Sequence, residues 1–301
     1  SHERLRLLFA DLLGTAPRLA ETVAFSPHVL DAVIDRDFAE AGTEPEALAQ
    51  QVRARLGQPS DHEDFLDRVR DAARQLRFLT GARLLSGILS PEEAGRAFAG
   101  IADAVIAVTV ERVSDGFFAE HGAVPGGRLA VLGLGRLGAR QLTADSDLDL
   151  VLVYDFDPND RTSAGPKPLD AAVAYNRLAQ RIVAALTVPT RRGHLYEVDL
   201  RLRPGGGQGP VAVQWRSFRS YHAEEAELWE HMALTRARVV AGDAGLGAAA
   251  DHRGGEAGHH GGGDHRPLGG VVGDDDRRPG DVERLREGVD HRNAVEGEVR
   301  H

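Results

Sequence analysis

The sequence predicts an α+β protein: an all-helical lead-in, a domain mixing strands and helices around a mixed sheet, and a tail too poor in apolar residues to build a core. Three observations carry this. Apolar residues recur at three- and four-residue spacing up to about Phe98, short apolar runs bounded by turn residues begin after Gly122, and the composition changes abruptly at Ala244. The corresponding division is 1–97 for the helical region, 98–243 for a sheet-containing domain with a C-terminal helix, and 244–301 for the tail.

The helical region opens with Leu5, Leu8 and Leu12 on one face, Phe9 beside them, and continues through Leu19, Val23, Val29, Leu30 and Val33. Asp61 and Ser90 are expected N-caps. Ser90-Pro91-Glu92-Glu93 combines a capping hydroxyl, a proline in the first turn and an acid at the third position. After the turn "GAVPGG", Arg128 to Leu132 and Leu148 to Tyr154 read as strands. "PLDAAVAYNRLAQRIVAALTVPT" reads as a helix with Leu169, Val173, Leu178, Ile182, Val183 and Leu186 as its apolar stripe. "GHLYEVDLRLR" reads as a third strand. Its alternation would place Glu197, Asp199, Arg201 and Arg203 on one face and Tyr196, Val198, Leu200 and Leu202 on the other. The stretch from Gly209 to Asp243 adds a short strand and one or two helices, with Trp215, Tyr221 and Trp229 as core or helix-face aromatics and Arg236 and Arg238 as a solvated face. From Ala244 the chain is crowded with Gly, Asp, Arg and His, the expectation for a disordered tail or a shifted reading frame, in which His259, His260 and His265 are incidental rather than metal ligands.

At 301 residues the chain can bury a sizeable core, and its net charge of −10 argues against nonspecific nucleic-acid binding, which needs basic groups to neutralise phosphate. It has no cysteine, so disulfide and thiolate chemistry are excluded. No signal-peptide pattern opens it and no apolar stretch reaches the roughly 18 to 20 residues of a membrane span. The expectation is a cytoplasmic protein that binds neither membrane nor nucleic acid.

The chemistry concentrates in "VLGLGRLGARQLTADSDLDLVLVYD". Gly133, Gly135 and Gly138 match GxGxxG after a strand, but a dinucleotide fold would place an acidic ribose ligand about 20 residues on, at the end of the next strand. Here Asp147 follows Gly138 by nine positions, and the acids begin a strand instead. Asp147 and Asp149, two apart, are expected on one face, where two bare carboxylates repel unless a cation lies between them. Mg²⁺ suits such all-oxygen ligands and is often shared with substrate phosphates, which the glycine-rich turn could approach through backbone N–H groups. Asp199 from the next strand supplies a third carboxylate, and with nearby arginines the set suits a two-metal phosphoryl- or nucleotidyl-transfer site. The bland alternatives are strand-edge polarity for Asp147 and Asp149 and ordinary salt bridging for Asp199, Arg201 and Arg203.

Gly133 to Gly138 followed by Ser146-Asp147-Leu148-Asp149 resembles the nucleotidyltransferase motif of the glutamine synthetase adenylyltransferases. "YEVDLRLRPGGGQGP" and "WEHMALTRARVVAGD" are similar to that family's next two blocks in the same order, and "LGTAPRLAETVAFSPHVLDAV" to its helical lead-in. The resemblance covers about residues 1–243. It implies a polymerase-β-like nucleotidyltransferase domain in 98–243, with Mg²⁺ as cofactor and ATP as substrate. Full-length members carry two such halves, one removing AMP from glutamine synthetase by phosphorolysis and one adding AMP to a tyrosine of it. The wording here is more similar to the C-terminal, AMP-adding half.

Carried over, Asp147, Asp149 and Asp199 are the catalytic and metal-binding acids. Gly133, Gly135, Arg136, Gly138, Ser146, Arg201 and Arg203 are the nucleotide-binding set. Glutamine synthetase is the implied partner, and the nitrogen-signalling protein PII a further one. The chain departs from the family pattern at Arg136, where lysine is usual, at Ala139 for glycine, at Gln141 for glutamate, and in lacking an aromatic just before Trp229-Glu230. None of these removes a catalytic aspartate. The reverse reaction on the same scaffold, and an inactive fragment or regulatory binding module, are the rival readings.

Overall fold

The computed structural model describes residues 42–246. The helical lead-in before Gly42 and the tail expected from Ala244 onward lie outside them, apart from Ala244 to Leu246. All described residues belong to one unit, Ser1–Gly255.

Three helices come first: α1 (Pro45–Leu56), α2 (His62–Leu85) and α3 (Pro91–His121). Both expected caps form. The Asp61 carboxylate accepts from the Asp64 N–H at 2.9 Å, and Ser90 and Glu93 exchange side-chain bonds with each other's backbone N–H in a capping box. The junction expected between 97 and 98 falls inside α3, which runs unbroken for 31 residues. Nothing in its Ala- and Val-rich sequence interrupts it, and it packs against α1, α2, a later helix and the sheet.

The sheet begins with β1 (Arg128–Gly133) and, after a one-turn helix α4 (Gly135–Gly138), β2 (Leu148–Asp155), paired antiparallel. Helix α5 (Ala171–Thr187) follows, capped by Asp170; its expected stripe holds at Leu178, Ile182 and Leu186, whereas Val173 is exposed. Next come β3 (Val198–Asp199) and β4 (Ala212–Gln214), both parallel to β2 and aligned with successive parts of it. Helices α6 (Trp215–Glu224) and α7 (Leu228–Leu234) precede β5 (Arg238–Gly242), which pairs antiparallel with β1 on its free side. The sheet is therefore mixed, in the order β3-β2-β1-β5 with β4 also on β2.

Two differences from the sequence reading matter. Only Val198 and Asp199 of "GHLYEVDLRLR" enter the sheet; the chain turns at Arg201, so the alternation fails beyond Asp199. The reason is a loop from Leu200 to Pro210 that closes on the buried guanidinium of Arg203, which donates to the carbonyls of Leu200, Gly209 and Pro210. The second is β5, which follows α7 where only helix was expected. Its short Val-rich run is stabilised by a neighbour, β1, that is distant in sequence.

Both faces of the sheet are covered, which is why β2 reads as a continuous apolar run rather than an alternating one. Leu148, Leu150 and Leu152 join the large core under α3 and α5, while Val151 and Val153 join a smaller cluster with Ala130, Leu132 and Phe218.

Candidate active site

The glycine turn is tied directly to β2: the Leu134 N–H donates to the Asp149 carbonyl at 2.9 Å. The three glycines then serve different needs. Gly133, the last residue of β1, packs under the side chains of Val240 and Leu137. Gly135 has φ of +52°, and a Cβ there would overlap the Asp149 carboxylate. Gly138 leaves room for the Arg236 carbonyl, which a Cβ would strike. Of the three, Gly135 faces the acids; Gly133 packs the turn against β5 and Gly138 against Arg236 just before it.

Asp149 and Asp199 are register partners across the parallel pair β2 and β3. Their neighbours Leu148 and Val198, also in register, pack toward the main core, so alternation aims the two carboxylates away from it, toward Gly135. Asp147 stands one residue before β2 and is exposed. Ser146 is buried beneath it: its hydroxyl accepts from the Thr143 N–H at 2.9 Å and lies 3.0 Å from the Thr143 hydroxyl, closing the turn that delivers Asp147.

The electrostatics of the three acids are unequal. Burial, then the charges of Asp147 and Asp199, push the Asp149 carboxyl above its usual range, against the pull of Arg201 and Arg136. Asp199 is held below that range, chiefly by Arg201. The Arg201 guanidinium donates to both Asp199 oxygens, from Nε to Oδ1 at 3.1 Å and to Oδ2 at 2.8 Å, and from Nη2 to Oδ2 at 2.5 Å, while its own side chain is largely exposed. Among the described residues no three His, Cys, Asp or Glu side chains form a ready metal cage. The donors nevertheless fit a hard cation: carboxylate oxygens only, one of them strained by like charge, in an arrangement that substrate phosphates and water would complete.

These elements match a known family model. The description "Glutamate-ammonia ligase adenylyltransferase" fits residues 7–253. The chain belongs to the glutamate-ammonia ligase adenylyltransferase family. It is 47% identical over 239 residues to a "Bifunctional glutamine synthetase adenylyltransferase/adenylyl-removing enzyme" of Agrobacterium fabrum, covering 79% of this chain and 24% of that protein. A protein of the same description from Mesorhizobium japonicum is 44% identical over 246 residues, 82% of this chain and 25% of the relative. One from Rhizobium meliloti is 43% identical over 239 residues, 79% and 24%. The chain thus spans about a quarter of the length of the curated relatives it matches.

In this adenylyltransferase-family chain the structure separates residues that the sequence grouped. Asp147, Asp149, Asp199, Gly135, Arg136 and Arg201 gather at one place; Arg136 is exposed and lies within electrostatic range of Asp149. Arg203 does not join them, because its guanidinium is spent inside its own loop. Trp229 is exposed on α7, and Trp215 stacks on Phe218 at 5.6 Å between ring centres.

Two supporting arginines escaped the sequence reading. Arg77 of α2 lies over the Tyr196 ring and donates to the carbonyls of Ala144 and Leu195, bracing both segments that deliver the acids. Arg238, expected on a solvated face, is instead largely covered and pairs with Asp103 of α3 at 2.7 Å. Neither had a signal in sequence, since each is one arginine among many and its partners lie dozens of residues away.

Proposed function

We propose that this chain is an Mg²⁺-dependent nucleotidyltransferase that moves AMP from ATP to a tyrosine of glutamine synthetase. The observation that carries the reading is the in-register pair Asp149 and Asp199 opposite the Gly135 turn. Two acids on adjacent strands beside a turn that only glycine permits are hard to explain by packing, since like charges in register destabilise a sheet. Family membership supports the same chemistry.

In this mechanism Asp147, Asp149 and Asp199 would hold Mg²⁺, which offsets charge on the triphosphate and lowers the pKa of the attacking hydroxyl. The tyrosine oxygen forms a bond to the α-phosphorus of ATP as the bond to the bridging oxygen breaks, and pyrophosphate leaves with that electron pair. The phenolic proton passes to a base at the site, the role this reading gives to Asp199. Arg201 and Arg136, the two arginines whose charges act on Asp149, would supply positive charge toward the phosphates. Gly135 keeps the space in front of Asp149 clear.

A second reading has its own support: the relatives are described as adenylyl-removing as well as adenylylating. The same acids would serve phosphorolysis: an oxygen of inorganic phosphate forms a bond to the phosphorus of the AMP group as the bond to the tyrosine oxygen breaks, giving ADP and a tyrosine that regains its proton. ATP labelled in the adenosine, incubated with purified glutamine synthetase, separates the cases. Label entering the target, and lost with Asp147→Asn or Asp199→Asn, supports AMP addition. Release only from pre-labelled target supports removal, and neither activity in a folded chain returns it to a binding role.

A further inference from the structure

The glycine turn is held from its far side by a polar network that the chemistry above does not use. Arg238 is the β5 residue in register with Gly133, the last residue of β1. Its guanidinium donates to the Leu137 carbonyl at 2.9 Å and the Gly138 carbonyl at 3.3 Å, the two carbonyls that end α4. The same group donates to Oδ1 of Asp103 at 2.7 Å, and both side chains are only 17% exposed. Arg140, just after the turn and at φ of 57°, brings its own guanidinium to 3.7 Å from the other Asp103 oxygen. Asp103 belongs to α3. One carboxylate on the helical region thus anchors two arginines that bracket the turn.

The geometry on the near side makes this arrangement consequential. Gly135 sits so close to the Asp149 carboxylate that even one added carbon would not fit, so a small shift of the turn changes the space in front of that acid. On the far side Gly138 rests against the Arg236 carbonyl. The turn is therefore located by β5 and α3, together with its tie to β2 at Leu134, rather than by its own four residues, too few to be stable as an isolated helix.

We propose that Arg238, held by Asp103, is a positioning residue for nucleotidyl transfer: it sets where the Gly135–Gly138 turn stands relative to Asp149. The proposal rests on the function proposed above for its catalytic consequence, but not for its structural one. Lysine at 238 would keep the charge beside Asp103 yet lose the planar fork that reaches two carbonyls as well, so it should recover only part of the effect. Asparagine at 103 would keep an acceptor and lose the charge.

Amide hydrogen exchange on the full chain and on Arg238→Gln, Arg238→Lys and Asp103→Asn reads the position of the turn without needing activity. The amides of Gly138, Ala139 and Gln141, bonded back to Leu134, Gly135 and Arg136, should exchange roughly tenfold faster in Arg238→Gln while β2 amides keep their rates. Arg238→Lys should fall between. In the AMP-transfer assay, kcat should drop by about 100-fold with little change in KM for ATP, as expected when bound groups are misplaced rather than lost. Unchanged turn exchange, or a uniform acceleration through β1 and β2, overturns the proposal. Faster turn exchange with no transfer by the unaltered chain upholds the positional role and removes only the proposed function.

Discussion

Asp149 and Asp199 face each other in register on adjacent parallel strands, and Arg201 is bonded to one of them only. The pair is therefore divided: Asp199 is neutralised by an arginine, while Asp149 carries the strain of burial and of two neighbouring acids. That asymmetry leaves the charge of Asp149 uncompensated beside a carboxylate that already has its own arginine.

Magnesium should stabilise the chain through Asp149. At a hundredfold excess over its dissociation constant a ligand adds about 2.7 kcal/mol, read as a rise in melting temperature. Asp149→Asn should abolish that rise yet be more stable than the parent without metal. The sign follows from the raised carboxyl, which binds its proton more tightly folded than unfolded. Metal-free stability should therefore fall as pH climbs from the ordinary carboxylate range through the raised one, and the asparagine variant should lose this slope. Equal magnesium stabilisation of both proteins would refute the assignment.

Gly135→Ala should be costly for two reasons acting together, the positive φ and the overlap with the Asp149 carboxylate. A cost of about 1–3 kcal/mol in urea unfolding is expected for a non-glycine residue forced into such a conformation. Magnesium stabilisation should weaken as well, because relief of the clash requires Asp149 to move. A fully stable variant with normal magnesium response would show that the turn is not held against the acid.

Arg201 and Arg203, two residues apart in one motif, should behave oppositely. Arg201→Ala should cost much less in unfolding than Arg203→Ala, because the arginine of its ion pair is exposed even though Asp199 is not, while freeing Asp199 to bind magnesium more tightly and impairing AMP transfer. Arg203→Ala removes the buried donor that closes the 200–210 loop and leaves three part-buried carbonyls without their partner, at a cost of about 1–3 kcal/mol. Paired urea titrations and magnesium titrations check both; similar effects from the two variants would contradict the division.

The start of α3 offers a test remote from the site. Ser90→Ala should cost about 1 kcal/mol at neutral pH by removing the capping hydroxyl. Glu93 is held below its usual range, first by the Ser90 backbone N–H and then by its side chain. A depressed carboxyl contributes above the ordinary range and loses its contribution as pH falls through the depressed one, so the gap between parent and variant should narrow in acid. Melting curves at several pH values would show it.

By itself the sequence determined the α+β class, the helix caps, the strand β2 and the pair of aspartates at its start, because these depend on local patterns: a hydroxyl before a proline and acids, an apolar run, aspartates two apart. It also fixed the need for glycine at 135, though not the reason, since the crowding group is the carboxylate of Asp149, fourteen residues later. Only the tertiary structure decided that β3 ends at Asp199, that Arg203 turns inward, and that β5 exists at all. Alternation assumes a continued strand, and it cannot see a loop held by its own carbonyls or a strand supported by a partner about a hundred residues away. The same limit hid Arg238. Its role is set by Asp103, Leu137 and Gly138, which meet it only when α3, β1 and β5 pack together and exclude the water that would otherwise solvate the charge.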